Sequence, residues 1–181
     1  DIYNPEDFLP IPKPGRVLGA PDLAYWEHRE LGGYKDITKN EDISIEKARH
    51  LRHGYYACVS YVDAQIGKVL DALKKNEMED NTIIVLWGDH GYSLGEQGRW
   101  CKGTNFEMDT RVPLMVRTPG MPNPGASTDS MVEAVDIYPT LAELAGLPAP
   151  VGLDGSSFAS PVRDPARPGK DIALSQFARP F

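Results

Sequence analysis

The chain is poor in cysteine, in positive charge and in long apolar runs. Two cysteines in 181 residues, Cys58 and Cys101, are too few for a disulfide framework. Cys58 falls within a helical pattern and Cys101 in a loop. The expected arrangement is therefore a buried thiol at 58 and an incidental one at 101, which leaves the redox compartment open. Against 26 Asp and Glu stand only 19 Lys and Arg, a net charge of −7. That balance excludes a surface built to grip nucleic acid, which needs clustered cations. No apolar run approaches the ~20 residues of a membrane-spanning helix. The opening residues, Asp1-Ile-Tyr-Asn-Pro, are polar and lack a secretory leader pattern, so they read as text from the interior of a protein.

Enough apolar text remains for one ordinary domain, with 41% hydrophobic and 25% charged residues. Residues 1–42, rich in Pro, Gly and aromatics, read as an irregular lead-in with one short helix near 23–31. Residues 43–181 read as α/β. Ser44 opens a long helix, helped by Asp42 and Glu46 near its N-terminus. Ile45, Ala48, Leu51, Tyr55, Cys58, Val59, Val62, Ile66, Val69, Leu70 and Leu73 then recur at three-four spacing, and Lys74-Lys75-Asn76 closes it. Residues 81–87 read as a strand buried on both faces, with Trp87 in the core. A second strand is expected over 112–117 and a third over 171–177. A helix over 132–145 shifts register near Asp136 and stops at Gly146. Three strands are few for a doubly wound sheet, which has about five or six, so the sheet reads as incomplete.

The most informative stretch runs from Thr82 to Asn105, TIIVLWGDHGYSLGEQGRWCKGTN. The apolar run stops at Asp89-His90-Gly91, the kind of strand end where parallel-sheet enzymes place their chemistry. Asp89 and His90 can hold a divalent cation, with Gly91 allowing a sharp turn; equally, Asp89 can simply cap the next segment. Lys102 follows and can meet a tetrahedral oxyanion or a leaving oxygen, or stand as a solvated surface lysine. Tyr92 is the candidate for stacking on a sugar or aryl ring. Glu96, Arg99, Glu107, Asp109 and Arg111 read mostly as loop ion pairs of small value, with Arg111 a possible brace. His50 and His53 lie three apart on the long helix without an acidic partner, and His28 has no informative context. Asp154-Gly155-Ser156-Ser157 reads as a turn.

In their order these features resemble the sulfatases of the alkaline-phosphatase superfamily, particularly the iduronate-2-sulfatase-like branch. The resemblance is carried by Tyr56-Ala-Cys-Val-Ser-Tyr-Val-Asp-Ala-Gln-Ile-Gly67, and by Asn81-Thr-Ile-Ile-Val through Gly88-Asp-His-Gly91 with Leu94-Gly-Glu-Gln-Gly98. It continues in Lys102-Gly-Thr-Asn-Phe-Glu107 with Arg111-Val-Pro-Leu114 and Pro119-Gly120. It ends in Val135-Asp-Ile-Tyr-Pro-Thr-Leu141 with Leu144-Ala-Gly-Leu147 and Asp154-Gly155, and Ser175-Gln-Phe-Ala-Arg-Pro180 fits the same branch.

The resemblance implies part of a sulfatase-like sheet flanked by helices, the middle-to-C-terminal part of a catalytic domain. Asp89 and His90 would be ligands of the divalent cation, usually Ca²⁺ in this family, although imidazole is softer than Ca²⁺ prefers. Lys102 would contact the sulfate ester and help neutralise the leaving oxygen. The substrate would be a sulfate ester, expected to be of a carbohydrate. The nucleophile would be a formylglycine from a C/S-x-P/A-x-R motif. Neither Cys58-Val-Ser-Tyr-Val nor Cys101-Lys-Gly-Thr-Asn matches it, so formylglycine is expected in the N-terminal part of the same enzyme, a necessary partner of this chain. The family is mostly lysosomal, periplasmic or secreted. The alternatives are a phosphodiesterase or phosphonate hydrolase of the same superfamily, or a non-catalytic light-chain fragment.

Overall fold

The computed structural model describes residues 2–8, 17–25, 30–38, 43–148 and 151–177. His28 and Asp42 lie outside them, as do 26–29 of the expected short helix, which is represented by 3-10 turns at Asp22–Tyr25 and Leu31–Gly33. The described residues form two compact units, 1–71 with 90–111 and 72–89 with 112–181.

Helix α1, Ile45–Lys75, follows the expected periodicity over 31 residues. Ser44 caps it: its Oγ accepts from Lys47 N at 3.1 Å, satisfying one of the amide donors a helix start leaves over. At the other end, Lys74 and Lys75 lie in the last turn and Asn76 Nδ2 donates to Ala72 O at 2.7 Å. No residue of α1 is fully buried, and Tyr55, Val59, Val62 and Val69 on its apolar seam are exposed.

The first unit has its core beside the start of this helix. Leu31, Ile37, Trp100 and Cys101 are buried together, with Ile43, Ala48, Leu51, Tyr92 and Leu94 packed on them. A short antiparallel hairpin supplies three of these side chains, Leu94, Trp100 and Cys101: β2, Ser93–Leu94, pairs with β3, Trp100–Cys101, with Ser93 opposite Cys101. Its loop is held by Gly95 N donating to Arg99 O at 2.8 Å and Leu94 N donating to Glu96 Oε2 at 2.6 Å. A separate aromatic cluster ties the N-terminal segment to α1: Phe8 is buried against Tyr3, Tyr56 and His53, and Tyr3 and Ser60 share a hydroxyl hydrogen bond of 2.6 Å.

The second unit contains β1, Ile84–Trp87, paired antiparallel with β4, Leu114–Arg117, from Ile84 opposite Arg117 to Trp87 opposite Leu114. The pairing is antiparallel, whereas the strand end at Asp89-His90-Gly91 is of the kind expected in a parallel sheet. Trp87 is 49% exposed and Ile84, Val85 and Leu86 are only half-buried, so β1 is not buried on both faces as its composition implied. Two strands alone cannot cover two faces. A 3-10 turn, Ala134–Asp136, runs into α3, Ile137–Leu144; the expected register shift falls at Asp136, where one winding gives way to the other. Gly146, at φ +70°, ends α3: Gly146 N donates to Glu143 O at 3.1 Å and Leu147 N to Ala142 O at 2.9 Å. Helix α4, Ala159–Arg163, packs through buried Phe158 and Ala159.

Segment 171–177 is not a strand. Its neighbourhood offers one isolated bridge, Met131 with Lys170, and Leu174 N donates to the Glu133 carboxylate rather than to a backbone ladder. Ile172 and Leu174 remain exposed. Alternating composition makes a strand only where a neighbouring backbone supplies the ladder.

Candidate active-site loop

The Asp89-His90-Gly91 turn begins where β1 ends, with Gly88 N donating to Pro113 O at 3.0 Å as the last rung beside the strand. Asp89 and His90 are both exposed. His90 Nδ1 lies 2.9 Å from Gly91 O. A carbonyl only accepts, so this contact selects the Nδ1–H tautomer and places the ring's lone pair on Nε2, the arrangement seen in metal-binding imidazoles.

Gly91 is required for closeness rather than for a left-handed turn, since its φ lies outside the positive range. Its amide donates to Asp109 O at 2.8 Å, and a Cβ at this position would sit 1.8 Å from Met108 O and 2.7 Å from Met108 C. Those are backbone atoms of α2, Glu107–Thr110, and cannot swing aside. Gly91→Ala is therefore expected to displace α2 and to cost about 3 kcal/mol, read as a fall in the urea midpoint.

Asp109 is not a loop ion pair. It is buried, and its Oδ2 accepts from both Thr104 N and Thr104 Oγ1 at 2.7 Å; Ser93 Oγ donates to Oδ1 at 3.5 Å. The carboxylate thus closes the loop between β3 and α2 from inside. Arg99 is also buried, donating to Ala24 O at 2.5 Å with its guanidinium over the Phe106 ring. Among the described residues, Arg111 pairs with Glu107 alone, at 4.0 Å on the surface. The residue that sequence reading passed over is Glu30, whose Oε1 lies 3.6 Å from Lys102 Nζ. Nothing in the local pattern links positions so far apart.

The two thiols exchange the places expected for them. Cys58 is exposed on α1, while Cys101 is 2% exposed in the core, at φ +64°. Tyr92 OH donates to Cys101 Sγ at 3.1 Å and its ring stacks on Tyr55, with centroids 5.3 Å apart. Burial first, then the Cys101 and Tyr34 contacts, push the Tyr92 hydroxyl well above its ordinary value; burial likewise pushes the Cys101 thiol up. An aromatic disulfide reagent at neutral pH is expected to label Cys58 promptly and Cys101 only on unfolding, as one fast and one slow equivalent of released thiolate. His50 and His53 join no metal cluster: among the described residues no group of three or more His, Cys, Asp or Glu could hold an ion.

A sulfatase family model matches residues 26–147, which contain the whole of this loop. The chain belongs to the sulfatase family. Mouse iduronate 2-sulfatase is 35% identical over 185 residues, covering 82% of this chain and 32% of that protein. Among solved structures, a phosphonate monoester hydrolase from Silicibacter pomeroyi superposes with a TM-score of 0.74 at 27% identity, over 92% of this chain and 34% of its own. A protein solved in complex with its substrate D-glucosamine-2-N,6-O-disulfate gives a TM-score of 0.66 at 31% identity, over 73% of this chain and 28% of its own. The chain thus spans about a third of the length of mouse iduronate 2-sulfatase and of the phosphonate monoester hydrolase, and the α/β fold expected of it is that of an incomplete sulfatase domain.

Proposed function

We propose that the protein carrying this chain is a sulfuric ester hydrolase acting on a carbohydrate sulfate. The supporting observation is that the sulfatase match, 26–147, coincides with Asp89-His90 at the end of β1 and with Lys102 beyond it. The neighbour with a bound disulfated glucosamine supports a sugar as the substrate class.

Asp89 oxygen and His90 Nε2 fit two positions in the shell of a divalent cation, since both side chains are exposed and the His90 tautomer directs its lone pair outward from Gly91. The remaining ligands, and the formylglycine, are assigned to the N-terminal part of the same enzyme. We take Ca²⁺ as the ion on the carboxylate chemistry and the family's habit; the imidazole widens the choice towards softer cations. When bound, such a cation lowers the pKa of an attacking oxygen and offsets sulfate charge. Lys102 donates its ammonium protons to the sulfate and to the oxygen of the departing alcohol, where negative charge grows as the S–O bond breaks. Gly91 and Asp109 hold the loop so that these groups need not reorganise.

The test is release of inorganic sulfate from a sulfated monosaccharide by the enzyme with its complete catalytic domain. The expected result is turnover that is lost on chelation and restored by Ca²⁺. The likeness to a phosphonate monoester hydrolase carries a second reading. Faster turnover of an aryl phosphonate monoester than of any sulfate ester would favour it.

A further inference from the structure

We propose that Glu30 is a positioning residue for Lys102, an inference that rests on the role given to Lys102 above. The two residues come from separate segments of one unit, and each segment has packing of its own besides the ion pair. On one side, Glu30 precedes the 3-10 turn Leu31–Gly33, where Gly33 N donates to Glu30 O and Tyr34 N to Leu31 O, both at 3.0 Å; Ile37 N follows onto Tyr34 O at 3.2 Å. On the other, Lys102 follows Cys101, a non-glycine residue held at φ +64° by its pairing with Ser93 and by the Tyr92 hydroxyl on its thiol. Leu31 and Cys101, the immediate neighbours of Glu30 and Lys102, are each 2% exposed and share one buried cluster. The core thus joins the two backbones one residue away from the charges.

This arrangement decides what the pair is for. Its side chains are 40% and 41% exposed and the atoms are 3.6 Å apart, so water screens the attraction and the pair adds little to folding. The same contact, between separately packed backbones, restricts the lysine's flexible four-carbon stem. An ammonium has three donors, and an ion pair of 3.6 Å, longer than a hydrogen bond, holds the charge near Glu30 without committing one of them to it. A left-handed non-glycine residue immediately before the lysine is the kind of backbone cost that persists where the surrounding structure enforces a direction.

The experiment is a double-mutant cycle on the complete enzyme, with a sulfate ester as substrate. Glu30→Gln keeps the side-chain shape and removes the charge. It is expected to lower kcat about tenfold, with KM within about twofold and the thermal midpoint unchanged. In a Lys102→Ala background the same substitution is expected to have no further effect, and Glu30→Asp is expected to recover part of the loss. A kcat for Glu30→Gln equal to that of the unmodified enzyme overturns the proposal, as does a fall in KM alone, which would make Glu30 a competitor of sulfate. An equal loss in both backgrounds overturns it too. Near-normal turnover by Lys102→Ala itself would instead remove the reading on which the proposal rests, so the two failures are distinct.

Discussion

Lys102→Ala, in the enzyme with its complete catalytic domain, is expected to lower kcat/KM on a sulfate ester by about 10²- to 10³-fold. The magnitude follows from where the charge is needed. Cleavage of the S–O bond places negative charge on an alcohol oxygen that is a poor leaving group at neutral pH. A fixed ammonium answers that charge without reorganising at the moment of reaction. Since this charge develops in the transition state, the loss is expected mainly in kcat, with a smaller rise in KM from the lost contact to the ground-state sulfate. Lys102→Arg retains the charge but presents a planar fork in place of a point charge, so only part of the activity is expected to return. Steady-state kinetics on a sulfated monosaccharide measures all three; a Lys102→Ala enzyme of near-normal kcat would sink the assignment. The exposure of Lys102 argues against a folding role, so a loss of activity here is not expected to be a loss of structure.

The largest effect on stability is expected at Asp136. This carboxylate is 1% exposed and serves three partners: Oδ2 accepts from Glu133 N at 2.9 Å and from Lys170 Nζ at 2.7 Å, and Oδ1 accepts from Ser156 N at 2.8 Å. Lys170 also pairs with Glu133, whose other oxygen takes Leu174 N at 3.0 Å. Asp136 therefore gathers the start of α3, the 154–157 turn and the 170–174 segment. Asp136→Ala leaves two part-buried amide donors without their acceptor and removes one of the two carboxylates on the Lys170 ammonium, which keeps Glu133; it is expected to cost about 3–5 kcal/mol, read from urea unfolding.

Burial alone would raise this carboxyl. The Lys170 ammonium and the Ser156 and Glu133 amides outweigh burial and hold it below the ordinary aspartate value of 3.8. A lowered folded value means that the stabilisation is complete above the unfolded value and disappears as pH falls through the folded one. The unmodified chain is thus expected to lose stability below about pH 4, and Asp136→Asn to flatten that acid limb while starting from a lower plateau. An acid limb of unchanged slope in Asp136→Asn would assign the titration elsewhere.

These two sites differ in how much of them could be read from sequence, and the difference is one of range. The helix over 45–75 was legible because its signals are local: a hydroxyl at Ser44, apolar residues at helical spacing, and cations at the end. The glycine stop at Gly146 and the register change at Asp136 were legible for the same reason. So was the strand end at Asp89-His90, where composition changes within a residue. What escaped depends on partners far along the chain. Lys170 meets Glu133 across 37 residues, and no window on the sequence holds both. Asp109 looked like surface charge because it stands among other charges; only the fold of 93–109 brings Thr104 and Ser93 onto it. The two cysteines were exchanged because helical spacing says which face is apolar, but not whether anything lies against it. Segment 171–177 carries strand-like composition and finds no ladder.

The apolar seam of α1 has a consequence for handling the polypeptide. Val59, Val62 and Val69 face water along one side of a 31-residue rod, and hydrocarbon so displayed orders nothing by itself but lowers solubility. The net charge of −7 opposes this by mutual repulsion, and added salt screens charge while leaving the seam untouched. For the isolated chain, dilute buffer at low ionic strength, well above pH 5, is therefore the condition that keeps molecules apart, and the high-salt wash used routinely in purification is the step at which they would meet.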